Sequence, residues 1–266
     1  MIPSLRHIFG RKPETTKVRL PRLHLPEWPA AVYAIGDVHG CLPQLENLQR
    51  RIIADASSFA GKKLIVCVGD YVDRGPDSAG VLSFLNSPLP QGFSRICLAG
   101  NHERMMIQHI DEPNSLGQWW SSGGSETLAS YGIEPSQYMS ASSRNRTKML
   151  ASHIPSQHVD FLRNLPVMVT LPRLVLVHAG LRTDVPLEEQ DDNDLLWLRS
   201  QPAARQIQPE EARLVVHGHT PTATPTINAN SINIDTGAFA TGILTAVCLR
   251  HGEQPRFLNT ISALDR

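Results

Sequence analysis

In this chain of 266 residues, aspartate, histidine and asparagine recur immediately after short apolar runs and beside glycine. Gly36-Asp37-Val38-His39-Gly40 follows the run Ala31–Ile35, and Gly69-Asp70-Tyr71-Val72-Asp73-Arg74-Gly75 follows Leu64–Val68. Gly100-Asn101-His102-Glu103 follows Ile96–Ala99, His178-Ala179-Gly180 follows Leu174–Val177, and His217-Gly218-His219-Thr220 follows Leu214–Val216. Each cluster alone has an ordinary reading as a turn or a helix cap. Their combination is more specific. Asp, His, Asp, Asn, His and His supply oxygen and imidazole donors without thiolate, which suits Mn²⁺, Fe or Zn²⁺ and is richer than Mg²⁺ normally takes. Six donors are too many for one tetrahedral site with an open position, but they suit two ions sharing a carboxylate.

The apolar runs are the elements that must position these groups. Short runs of three to six mostly apolar residues bounded by turn residues read as strands buried on both faces, and Ile232–Ile234 and Leu244–Leu249 bring their number to seven. Ligands in α/β sheets collect outside the carboxyl ends of strands, so five polar clusters at five strand ends can converge on one crevice. Leu42, Leu45, Leu48 and Ile52, with Pro43 at the start, read as one helix, and Val81, Leu82 and Leu85 as another. Strand and helix alternate in the first half and strands dominate the second, which predicts a layered α/β sandwich over residues 29–262. The stretch from about 111 to 160, with Trp119, Trp120 and Gly123-Gly124, reads as a helical insert that either walls the cleft or packs its indoles on the surface. Residues 1–28, basic and broken by Pro3, Pro13, Pro21 and Pro26, read as a flexible tail, with an anionic docking arm as the alternative.

Composition excludes several classes. Apolar residues at 41% and charged residues at 19% rule out disorder along the whole chain. No run approaches the roughly 18 apolar residues of a membrane span, and the N-terminus lacks a secretory pattern, so the expected compartment is the cytoplasm. Twenty-five basic residues balance twenty-five acidic ones, which leaves no global field to recruit nucleic acid or an anionic membrane. Cys41, Cys67, Cys97 and Cys248 lack CxxC spacing and read as reduced thiols, neither a disulfide framework nor a zinc site.

Taken in order, the motifs GDxHG, GDxxDRG, GNHE, HAG and GHT resemble those of the metallophosphoesterase superfamily. They are most similar to the bacterial and phage branch of the phosphoprotein phosphatases, the Ser/Thr protein phosphatase family, over about Val32 to Leu249. The resemblance implies a calcineurin-like fold, two mixed β-sheets flanked by helices with the site at the strand C-terminal ends. It implies two divalent ions, Mn²⁺ first and Fe or Zn²⁺ otherwise. Asp37 and His39 would bind one, Asp70 would bridge, and Asn101, His178 and His219 would complete the second. His102 would be the general acid, oriented by Asp73. Arg74 would hold the phosphoryl oxygens, joined by Arg199, which sits where phage relatives have a similar Trp-x-Arg. The implied substrate is a phosphoprotein or small phosphate ester, hydrolysed by a hydroxide bridging the metals.

The chemistry of the residues agrees. Two ions about 3.5 to 4 Å apart lower the pKa of a shared water and clamp attacking and leaving oxygens for in-line displacement. Guanidinium forks offset charge on the equatorial oxygens, and a leaving alkoxide needs the proton that a histidine beside a carboxylate can give. Pro221 replaces the second histidine of the GHxH found in many metallophosphoesterases, a loss the phosphoprotein phosphatases share. His217, two positions before His219, should project to the same face and is read as support rather than ligand. Asp235 and Thr236 are read as structural support. A symmetrical dinucleoside tetraphosphatase is the rival activity. Asp73 and GNHE favour the phosphatase, while Arg74-Gly75-Pro76 leans toward the rival. An inactive binding scaffold on the same fold is the remote alternative.

Overall fold

The computed structural model describes residues 19–114, 116–199 and 213–260. In chain order the elements are β1 (Arg22–His24), β2 (Ala31–Ile35), α1 (Leu42–Ala56), β3 (Lys63–Cys67), α2 (Ser78–Asn86), β4 (Phe93–Cys97) and α3 (Asn101–Asp111). A helical stretch follows: α4 (Gly117–Trp119), a π turn (Trp120–Gly124), α5 (Ser125–Ser130), α6 (Pro135–Ser140), α7 (Ser143–His153) and α8 (Ser156–Arg163). The rest is β5 (Met168–Leu171), β6 (Leu174–Val177), α9 (Asp192–Trp197), β7 (Leu214–His217), β8 (Thr226–Ile227), β9 (Ser231–Asn233), α10 (Ala238–Thr241), β10 (Thr245–Leu249) and β11 (Arg256–Asn259).

The strands form two mixed sheets, one ordered β1-β5-β6-β7-β9-β8 and the other β11-β10-β2-β3-β4. Alternation along each strand explains why the runs read as continuously apolar. Val32 and Ala34 of β2 and Leu64 and Val66 of β3 point between the sheets, where they meet Val169, Leu176, Val216 and Ile232. Tyr33, Ile35, Ile65 and Cys67 point the other way, under α1, α2 and α3. Both faces are therefore buried. All seven expected strands are present, and the fold is the α/β sandwich of two mixed sheets flanked by helices.

Strands β2, β3 and β4 run parallel in one sheet, and β6, β7 and β9 run parallel in the other. Their C-terminal ends all reach one edge of the sandwich, and this edge carries every expected metal ligand. Strand β4 begins three residues before the expected run because it is an edge strand with Ser94 exposed, so only part of it reads as apolar.

The tail expected over residues 1–28 needs correction in its described part, while residues 1–18 lie outside the described residues. Arg22–His24 pair in parallel with Met168–Thr170, and the Leu25 N–H donates to the Thr170 carbonyl at 2.8 Å. Arg22 reaches Asp192 Oδ1 at 2.7 Å and the Gln190 carbonyl at 2.8 Å, and Trp28 Nε1 donates to the Pro172 carbonyl at 2.9 Å. The prolines that break helical periodicity leave Arg22 to Leu25 free to extend, and an edge position asks for pairing on one side only. Removing residues 1–25 should therefore cost about 2 kcal/mol through buried groups left unpaired, lowering the thermal midpoint by roughly 4 to 8 °C. Calorimetry of the truncated chain checks this, and an unchanged midpoint would count against a structural role for β1.

Candidate active site

The backbone at the convergent edge is unusually bent. Six non-glycine residues among those described have left-handed φ, and five are site residues: His39 (43°), Asp70 (51°), Asp73 (74°), Arg74 (67°) and His219 (69°). Such conformations cost about 1 to 3 kcal/mol each and persist where surrounding structure over-determines them. Glycine makes the crowding feasible. A Cβ at Gly100 would run into the Asp70 carboxylate, and one at Gly218 into the Asp37 carboxylate.

These bends bring all six expected ligands together. Asp70 lies at the centre, with Oδ2 3.5 Å from His39 Nε2 and Oδ1 3.4 Å from His178 Nε2. Asn101 Oδ1 is 2.9 Å from His178 Nε2, which is 3.2 Å from His219 Nδ1. The His219 backbone N–H donates to Asp37 Oδ2 at 3.0 Å. His39, Asp70 and His102 form one group with metal-ligand spacing, and Asp70, His178 and His219 form another.

The donor chemistry fits divalent cations. His39 Nδ1 lies 2.8 Å from the Val72 carbonyl and His178 Nδ1 3.0 Å from the Val68 carbonyl. A carbonyl only accepts, so each Nδ1 carries the proton and each Nε2 turns a lone pair inward, as in imidazoles that bind metals. His219 Nε2 is buried with no partner among the described residues. Burial holds His39 and His219 neutral, lowering both to about 3; the Asp70 charge opposes this for each, and His178 adds to the lowering at His219. Neutral imidazoles can ligate.

Carboxylates dominate the electrostatics. Asp37, Asp70, Asp73, Glu103 and Asp235 are each at most 2% exposed. Burial raises Asp37, and the charges of Asp235 and Asp70 raise it further. Asp235 is pushed up to about 6, again chiefly by burial. For Asp70, burial opposes ionisation, but the nearby His102, whose own pKa is raised, and its backbone N–H favour the charged form and hold the carboxyl below the usual range. Five buried acids around one crevice make a charge excess that dications would offset. Glu103 holds the floor of the crevice. Its carboxylate accepts from Gly100 N at 2.8 Å, Asp70 N at 2.8 Å, Tyr71 N at 2.7 Å and Val72 N at 3.3 Å, tying the start of α3 to the loop after β3.

His102 Nδ1 lies 2.7 Å from Asp73 Oδ2, the pairing the sequence predicts. Burial works against protonation of His102, but the Asp70 charge and the Asp73 hydrogen bond prevail and raise its pKa. Arg74 spans the histidines, with Nη1 3.0 Å from His39 Nε2 and Nη2 3.0 Å from His102 Nε2. Arg199 is exposed at the end of α9, on the His219 side, and lines a cleft of about 550 Å³ with His217 and Thr220. His217 lines that cleft while His219 does not. The left-handed turn at His219 breaks the strand alternation that would have put them on one face.

Sequence reasoning missed three contributors. Trp119 Nε1 donates to Asp73 Oδ1 at 2.9 Å, and Thr127 Oγ1 donates to the same oxygen at 2.7 Å. Phe239, 40% exposed, lies under the Arg74 guanidinium, 4.9 Å from its ring centroid. The Trp119-Trp120 and Gly123-Gly124 pairs marked the stretch that carries the first two, but no spacing tied either residue to Asp73. A phenylalanine following Asp235-Thr236-Gly237 carried no comparable signal.

A family model described as calcineurin-like phosphoesterase matches residues 30–242. The chain is similar to bis(5'-nucleosyl)-tetraphosphatase PrpE, asymmetrical, of Oceanobacillus iheyensis: 25% identical over 231 residues, covering 80% of this chain and 86% of that protein. It is also similar to serine/threonine-protein phosphatase 1 of Salmonella typhimurium: 26% identical over 232 residues, covering 84% and 94%. A solved structure provisionally described as a diadenosine tetraphosphatase shares the fold, with a TM-score of 0.62 at 22% identity over 90% of this chain and 97% of that one.

Replacing Glu103 should disturb stability before activity. In Glu103→Gln an amide N–H₂ faces backbone N–H groups that a carboxylate satisfies, which should cost about 2 to 4 kcal/mol. Urea denaturation of metal-free protein reads this, and an unchanged midpoint would mean that the four contacts do not hold the loop.

Proposed function

We propose that this chain, which belongs to the calcineurin-like phosphoesterase family, is a phosphomonoesterase acting on phosphoserine and phosphothreonine in proteins. The observation that carries this reading is the 2.7 Å contact between His102 and a fully buried Asp73. A serine or threonine alkoxide is a poor leaving group and needs a proton from a positioned acid, whereas a nucleotide leaving from an anhydride does not. The likeness to serine/threonine-protein phosphatase 1 supports the same reading.

In the proposed mechanism, Asp37, His39 and Asp70 would hold one divalent ion, and Asp70, Asn101, His178 and His219 would hold the second. Mn²⁺ suits the oxygen and imidazole donors, with Fe and Zn²⁺ as alternatives. When bound, such ions offset charge at phosphorus and lower the pKa of water toward neutrality. The chain's own groups do the rest. Arg74 presents two N–H donors in one plane, a fork that matches two phosphoryl oxygens and would leave His39 and His102 to take them. Arg199 offers a second guanidinium from the His219 side. His102, held by Asp73 through Nδ1, gives the Nε2 proton to the leaving oxygen.

The likeness to PrpE, together with Arg74-Gly75-Pro76, favours dinucleoside tetraphosphate hydrolysis as the second reading. A side-by-side assay of Mn²⁺-loaded protein on a phosphoserine peptide, p-nitrophenyl phosphate and a dinucleoside tetraphosphate separates them. We expect the peptide to be turned over best, and preference for the tetraphosphate would reverse the assignment.

Three variants test the roles. His102→Asn should lose about 10²- to 10⁴-fold on the phosphoserine peptide and far less on p-nitrophenyl phosphate, whose nitrophenolate leaves unprotonated. Equal losses would move His102 away from the leaving oxygen. For the metals, dialysed Asp70→Asn should retain fewer than about one ion per chain and Asp37→Asn about one, since a bridging carboxylate serves both ions. An Asp70→Asn protein with two ions and full turnover would remove the shared-carboxylate model.

A further inference from the structure

Asp73 receives more hydrogen bonds than orienting His102 requires, and the extra ones come from the helical stretch after α3. Oδ1 accepts from Trp119 Nε1 at 2.9 Å and from Thr127 Oγ1 at 2.7 Å, across 46 and 54 residues of chain. The Asp73 backbone N–H also donates to Thr127 Oγ1 at 2.8 Å and to Ser78 Oγ at 3.0 Å, and the two hydroxyls lie 3.0 Å apart. Asp73, Ser78 and Thr127 are fully buried and Trp119 nearly so.

Counting protons fixes every direction. An indole N–H only donates, so Oδ1 is an acceptor there. The single Thr127 hydroxyl proton goes to the carboxylate, so Thr127 accepts from Asp73 N and from the Ser78 hydroxyl. With Oδ1 filled by two donors, Oδ2 is left to accept from His102 Nδ1–H, and Nε2 is the nitrogen presented to the crevice. The clasp also holds backbone: Gly123 O accepts from Arg74 N at 3.3 Å, and a Cβ at Gly123 would collide with the Arg74 backbone. Residues 119 to 127 thus grip both neighbours Asp73 and Arg74, whose left-handed φ values need outside support.

We infer that Trp119 and Thr127 are positioning residues for leaving-group protonation: they fix the rotamer of Asp73 and through it the orientation of the His102 imidazole. The inference rests on the proposed role of His102 as general acid. It assigns the helical insert a chemical task, since the hydrogen bonds it donates set how well a poor leaving group is expelled. Both act through Asp73, behind which they are buried.

The test compares leaving groups. Thr127→Val keeps the shape and loses the donor, and Trp119→Phe keeps most of the ring and loses the N–H. Each should lower kcat on a phosphoserine peptide about 10- to 100-fold, the usual scale for groups standing behind a reactive residue. On p-nitrophenyl phosphate kcat should fall no more than about threefold, with KM unchanged on both substrates and metal content equal to wild type. Thr127→Ser should restore most of the loss. In a His102→Asn background, Thr127→Val should cost nothing further on the peptide. Equal losses on both substrates, or a peptide loss that persists without His102, would overturn the positioning role. If His102→Asn discriminates between the substrates and neither single variant does, this inference alone falls. If His102→Asn itself does not discriminate, the acid assignment falls and takes the inference with it. Should Thr127→Val fail to fold, Trp119→Phe carries the same comparison.

Discussion

The burial of Asp70 among other acids is the constraint around which the top of the sandwich is arranged. A carboxylate out of water needs nearby positive charge or several donors, and Asp70 stands beside four more buried carboxyls. The fold's own answer is partial. The N–H of His102 reaches Oδ1 at 3.1 Å, imidazoles surround both oxygens, and Glu103 gathers the neighbouring backbone N–H groups. That leaves a charge balance that cations would complete, and the lone pairs of His39 and His178 face the crevice where they would sit. One geometric fact underlies this, that parallel strands from two sheets end at the same edge.

Short strands that stop abruptly produce that edge, and the loops after them bear the strain. Left-handed residues concentrate where a carboxylate or imidazole must turn back over its own strand. Glycines sit opposite them, at positions where any side chain would displace a ligand oxygen. The loops carry the chemistry and the sheets carry the stability, a division common where polar groups must be held close against their mutual repulsion.

Much of this was legible in the sequence because burial on both faces writes continuous apolar runs, and because turns that aim Asp and His need glycine. The seven central strands and the six candidate ligands could be read that way. Strands β1, β5, β8 and β11 could not. Arg22–His24 is three residues between prolines, Met168–Leu171 is closed off by Pro166 and Pro172, and Thr226–Ile227 and Arg256–Asn259 are largely exposed. Three of them lack the length or the apolar run that separates a strand from a loop; Met168–Leu171 is as long as β6, but Thr170 interrupts its apolar run. The pair His102–Asp73 was legible through its motifs, but the grip of Trp119 and Thr127 on Asp73 was not. A side-chain hydrogen bond spanning some fifty residues leaves no period and no spacing. His217 shows the opposite failure, a period that held along β7 and ended one residue too soon.

The two sheets contribute unequally to the crevice, and this has a mechanical consequence. Asp37, Asp70 and Asn101 hang from β2, β3 and β4, whereas His178 and His219 hang from β6 and β7 across the interior. The layer between them, Val66 and Leu64 against Leu176, Val216 and Ile232, acts as a caliper whose jaws are the two sets of donors. Close-packed interiors are nearly incompressible and transmit small displacements over their whole thickness. A methyl group removed from the middle of that layer, in contact with no polar atom of the crevice, would alter the gap between the jaws and so would register in how tightly the crevice holds a divalent ion.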